Sequence, residues 1–145
     1  MNFTLDHLMS MSPCEFERVR EGGEDFRHAL SNAVLGHLTI PAGWNVNAEY
    51  RGEFGGLFPV QCRFNPDSEN DEAEFVVCVC SPGEISPTWT VILLAGGCRR
   101  IRIVRQFERF EPERINPVLT ELASFNRIGI TAAELITAIS KEGAL

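Results

Sequence analysis

A chain of 145 residues, 44% hydrophobic and 23% charged, is long enough for one domain to bury roughly 68–70% of its unfolded surface, so a core needs neither disulfides nor a structural metal. The formal charge of −7, with Lys141 alone beside twelve arginines, opposes non-specific attraction to nucleic acid or anionic membrane and makes a basic protein partner the natural one. No apolar run approaches the roughly 18 residues of a membrane span, and Met1–Met11 lacks a basic stretch ahead of an apolar block, so the expected location is the cytoplasm, with the five cysteines reduced.

Helix-start chemistry opens the chain. Thr4 can cap a short helix, with Phe3 and Leu8 at the spacing of a hydrophobic staple. Ser12-Pro13-Cys14-Glu15 is a capping box with proline at the first helical position, and Met11 and Phe16 form its staple. Phe16, Val19, Gly23, Phe26, Leu30 and Val34 then fall on one helical stripe, which Gly22-Gly23 interrupts. The expectation is a kink or two short helices ending at Gly36.

From His37 the period changes to two. His37–Ile40 leads into the turn Pro41-Ala42-Gly43, and Trp44–Tyr50 alternates apolar and polar residues as a half-buried strand does. Val60–Phe64 alternates again, the acidic stretch from Asp67 to Glu74 reads as a loop, and Phe75–Cys80 is a strand apolar on both faces. The sheet is expected to centre on Trp89–Phe107, a long hairpin turning at Ala95-Gly96-Gly97. Its first arm, Val91–Leu94, is apolar throughout; its second alternates Arg100 and Arg102 with Ile101 and Ile103, which implies one wet, arginine-lined face. Val91, Leu93, Ile101 and Ile103 are expected to be buried.

Beyond Phe110 the chain reads as helical. Asn116-Pro117 opens a helix that Gly129 closes, and Thr131-x-x-Glu134 is a second capping box with Ile130 and Leu135 as its staple. The fold class expected is α+β in one domain spanning 1–145: an antiparallel sheet of about five strands, with an N-terminal helical segment and two C-terminal helices packed on it.

Motifs of catalysis are missing: no Walker A, Gly-x-Gly-x-x-Gly, Gly-x-Ser-x-Gly or His-Glu-x-x-His occurs. Cys62, Cys78, Cys80 and Cys98 lie on or beside strands, but Cys-x-Cys is not a paired zinc knuckle, so buried apolar thiols and no metal or cofactor are expected. Cys14 sits where the first turn of a helix favours thiolate, yet Glu15 and Glu17 oppose that shift and no histidine is placed beside it. His7, His28 and His37 are scattered without ligand spacing.

Arg99, Arg100, Arg102, Arg105 and Arg109 form the sharpest local departure from the negative balance. Guanidinium forks there suit an acidic or phosphate-bearing partner; the plainer reading is a solvated strand face paired with Glu108, Glu111, Glu113 or the acidic loop. The last helix carries one lysine and two glutamates, which argues against DNA reading.

In general build, a small acidic α+β chain without a catalytic motif is similar to secretion chaperones, toxin-immunity proteins and phage-encoded inhibitors of defence systems. The expected function is that of a non-catalytic protein-binding module: an inhibitor, immunity protein or chaperone whose macromolecular partner has a basic surface. Glu69, Asp71, Glu72 and Glu74 are its expected contacts, with Arg100 and Arg102 as further candidates. Self-association into a homodimer through a sheet edge or an amphipathic helix is expected as well. The alternative is a small enzyme or ligand-binding domain using Cys14 or the Arg99–Arg109 face.

Overall fold

The computed structural model describes residues 3–18, 21–47, 58–66, 76–95 and 100–124. Five strands form one sheet: β1 (Trp44–Asn47), β2 (Gln61–Pro66), β3 (Val76–Cys80), β4 (Trp89–Ala95) and β5 (Arg100–Phe107). Their order is β1-β2-β3-β4-β5 and every pairing is antiparallel, so each strand lies beside its neighbour in sequence. The expected α+β architecture is what forms. The position of the long hairpin is not: β4 and β5 lie at one end of the sheet, and β3 is the central strand among the described residues. Apolar residues on both faces of β4 report burial above and below the sheet, which β3 shares along its whole length. Hydropathy does not record how many strands flank a strand laterally.

Within the hairpin the pairing shifts between Val91 and Ile92, from Val91 opposite Arg105 to Ile92 opposite Ile103. One residue of β5, Val104, is therefore extra, the signature of a β-bulge. Beyond it Arg102 stands opposite Leu93, Ile101 opposite Leu94 and Arg100 opposite Ala95.

Alternation sorts the sheet's side chains onto two faces. Val77, Val79, Val91 and Leu93 join a cluster that includes residues of every described helix, while Val76, Cys78, Cys80, Ile92 and Leu94 form a second cluster on the other face. Val91 and Leu93 are buried as expected; the side chains of Ile101 and Ile103 lie outside the described residues. Trp89 is the joint of the helix side. Its indole meets the Phe16 ring edge-on, with centroids 5.2 Å apart, and the Phe110 ring at 4.7 Å. It thereby locks a helix, the sheet and the segment after β5 through aromatic contacts beyond simple area burial.

The helices are α1 (Leu5–Ser10), α2 (Pro13–Glu17), α3 (Gly23–Gly36) and α4 (Pro112–Ser124). Thr4 caps α1 by accepting the His7 N–H. The capping box of α2 is complete: Ser12 Oγ accepts from the Glu15 N–H at 3.2 Å, and Glu15 Oε1 accepts from the Ser12 N–H at 3.1 Å. The double glycine does split the stripe. Gly23 has φ of 82°, a conformation costly for residues with a Cβ, and α3 restarts there and runs to Gly36.

The start of α4 corrects the expectation of a helix opening at Asn116-Pro117. The helix begins at Pro112, and the Glu111 carbonyl accepts from the N–H groups of Arg114 (2.9 Å) and Ile115 (3.0 Å). Pro117 sits inside the helix, where it cannot bond back to the carbonyl of exposed Glu113. Asn116 is a tether, not a cap: its Nδ2 donates to the His37 carbonyl at 3.1 Å, and its Oδ1 accepts the Thr39 N–H at 2.8 Å. The expected helix end at Gly129 and the final helix from Thr131 lie outside the described residues.

Candidate functional site

Of the residues singled out in the sequence, Glu69, Asp71, Glu72 and Glu74 fall between β2 and β3, outside the described residues. Arg100 and Arg102 are placed on the backbone of β5, opposite Ala95 and Leu93, with their side chains undescribed; Arg99 is not described. Arg105 is half-buried and Arg109 exposed, while Glu111 is ion-paired with Arg114 at 3.6 Å. No convergent arginine site is therefore built by the described side chains.

The thiols divide between the two faces. Cys62 belongs to the helix-side cluster, whereas Cys78 and Cys80 belong to the other, so these three cannot converge on one ion. Burial, reinforced by Cys78, pushes the Cys62 thiol up to about 12; burial likewise raises Cys80, with Cys78 and then Cys62 adding to it. Both are protonated at neutral pH and act as small apolar side chains. Among the described residues no group of three or more His, Cys, Asp or Glu is placed to hold a metal.

Cys14 is exposed on the first turn of α2 and lines a cleft of about 320 Å³. Its companions there include Glu17, Arg18, Glu21 and Glu84, and no histidine is among them. The same cleft shows how α2 is fixed to the sheet. Glu17 Oε2 accepts the Glu84 N–H at 2.7 Å, and the Gly83 N–H is bonded to the Ser86 carbonyl in the β3–β4 connection. A Cβ at Gly83 would lie 2.5 Å from Glu17 Oε2 and 2.8 Å from Pro59, so this approach requires glycine.

A second, larger cleft, about 470 Å³, opens on the other side of Arg18 and Glu21, which border both. Its floor is apolar. Phe3 meets the Phe26 ring edge-on at 5.6 Å and the His7 ring at 5.1 Å, and Met11 completes the surface; Glu15, Arg18 and Glu21 stand at the rim. The stretch Glu15–Asp25 holds five acids against two arginines, and Glu84 from the β3–β4 connection joins them. An apolar floor with an acidic border can bind a cationic, partly apolar surface; among the described residues it holds no paired nucleophile and base.

The sequence sets Glu15 and Glu17 beside Cys14, where they bear on that thiol, and does not by itself single out this surface. The available signal was the acid density from Glu15 to Asp25 flanked by Phe3, Met11 and Phe26. What it lacked was Glu84, some 67 positions away from Glu17 in the chain.

Compared with protein families, residues 2–143 match the one described as plasmid SOS inhibition protein (PsiB).

Proposed function

Because the chain belongs to the plasmid SOS inhibition protein (PsiB) family, we propose that it is a non-catalytic inhibitor that suppresses the SOS response by occupying a protein partner with a basic surface. The family match over nearly the whole chain carries this reading. The charge of −7 supports it, since a field of that sign steers encounter with a cationic site and raises the association rate more than the final affinity. So does the acidic border of the two clefts around Arg18 and Glu21. Glu69, Asp71, Glu72 and Glu74 extend the same charge, and Arg100 and Arg102 supply its counterpoint for acids on the partner. The chain acts in the cytoplasm as one domain, without a cofactor and without binding nucleic acid directly; no described helix is long and apolar enough to cross a membrane. Pairing of two copies through a sheet edge would make the active species a homodimer, which light scattering reads directly.

The test is an SOS-responsive reporter in cells expressing the chain, with and without DNA damage. Expression should lower induction, and reversing Glu69, Asp71, Glu72 and Glu74 together should weaken both the effect and the salt dependence of partner capture. Unchanged induction at high expression would refute the inhibitor reading. Unchanged capture and salt dependence after charge reversal would refute the contribution of those four carboxylates.

A further inference from the structure

We propose that the groove floored by Phe3, Met11 and Phe26 receives a segment of the protein partner in which one apolar side chain is flanked by arginine or lysine. This assignment deepens the inhibitor reading above and rests on it. The volume of about 470 Å³ lies within the roughly 300–1,000 Å³ typical of ligand pockets, so the groove takes an inserted side chain and its neighbours. The floor is the apolar part of the offer. Phe26 is only half-buried, although its ring is held edge-on by Phe3.

Gly22 keeps that floor open. Its φ of −81° is one that any residue adopts, so conformational freedom is not what the position uses. Space is: a Cβ there would lie 2.8 Å from Phe26 Cδ1 and 2.9 Å from Cγ, and the ring would have to move.

The border supplies the charge. Glu15 and Glu21 stand at the rim of the groove, and Glu17 and Glu84 continue the acidic line into the neighbouring cleft. Arg18 sits between the two clefts and places one positive charge in the middle of that line. A uniformly basic tail would meet Arg18 unfavourably; cations on either side of an uncharged anchor meet Glu15 and Glu21 at the rim among the described residues. Phosphate backbones are repelled by the same border, and an acidic surface of a second copy is disfavoured as the occupant of this groove for the same reason.

The probe is the peptide acetyl-GRGLGRG-amide, titrated into the isotope-labelled full chain and followed by amide NMR shifts. Controls replace leucine by glycine or both arginines by glutamate. Shifts should concentrate in residues 3–26 and 83–85, and each control should bind roughly tenfold or more weakly, as expected when either the anchor or the charge complementarity is removed. Glu21→Lys, at an exposed position, and Gly22→Ala should both weaken the leucine-arginine peptide while leaving the circular dichroism spectrum unchanged. Equal binding of all three peptides, shifts elsewhere on the chain, or the same amides shifting on simple concentration of the chain would each overturn the assignment, the last by giving the groove to a second copy. The SOS reporter separates this proposal from the reading beneath it. If wild type suppresses induction and folded Glu21→Lys suppresses it equally, the groove assignment fails and the inhibitor reading stands. If wild type does not suppress induction, the inhibitor reading fails and the peptide titration alone decides the groove.

Discussion

Replacing Gln61 by methionine should make the protein more stable. Gln61 opens β2 opposite Cys80, and only 4% of its surface is exposed. Among the described residues neither its Nε2 nor its Oε1 has a hydrogen-bond partner. Its neighbours on that face, Cys78 and Cys80, belong to the apolar cluster completed by Ile92 and Leu94. Burying an amide without partners costs about 1–3 kcal/mol by mutational data, and methionine keeps the length of the side chain while removing both polar atoms. Glutamine to methionine should therefore recover about 1–3 kcal/mol. For a domain of this size each kcal/mol moves Tm by about 3–4 °C, so the expected rise is about 3–12 °C. Urea melts followed by tryptophan fluorescence give the free energy directly, and an unchanged m value would show that the unfolded state is not the cause. A midpoint equal to or below wild type would refute the reasoning: it would mean that a buried water or a rearranged neighbour satisfies the amide in solution.

Three further outcomes follow from the same bonding arguments. Ser81 is fully buried; its Oγ accepts the Val60 N–H at 3.1 Å and donates to the Pro82 carbonyl at 3.2 Å, so Ser81→Ala should cost about 1–3 kcal/mol in urea melts by stranding a buried N–H. Asn116→Ala should lose both tethers to the segment after α3, about 1–3 kcal/mol, and Asn116→Asp should lose only the donated one; amide exchange at Thr39 distinguishes the two. Cys62 keeps its proton in the folded state up to about 12, whereas the unfolded thiol ionises near 9.0. Its contribution to stability is thus fully present below pH 9.0 and is lost as pH rises toward about 12. Cys62→Ala should flatten the fall of the urea midpoint across that window, and a thiol reagent at pH 8 should label Cys14 well before Cys62.

What the sequence made legible was whatever local chemistry decides. The box Ser12-x-x-Glu15 satisfies its own helix start, the pair Gly22-Gly23 breaks its own helix, and the run of apolar residues in β4 demands cover on both faces, so each could be read from a few adjacent residues. Lateral order was not legible, because a strand's place in the sheet is written in backbone pairing that side-chain pattern does not encode. The start of α4 misled for a related reason. Asn and Pro are both helix-start residues, but Asn116 makes its bonds to His37 and Thr39, nearly 80 positions away, and Pro112 serves as the opening proline. The clefts around Arg18 and Glu21 were half legible. Their acids lie within one short stretch, while the approach of Gly83 and Glu84 to Glu17 is a tertiary event with no local trace.

The central claim, that this chain suppresses the SOS response by occupation and not by turnover, is tested most directly by titrating its level against reporter induction while quantifying the captured partner. Occupation predicts suppression that rises in proportion to the chain and saturates when the partner is fully complexed. Complete suppression by an amount of chain far below that of the partner would contradict it.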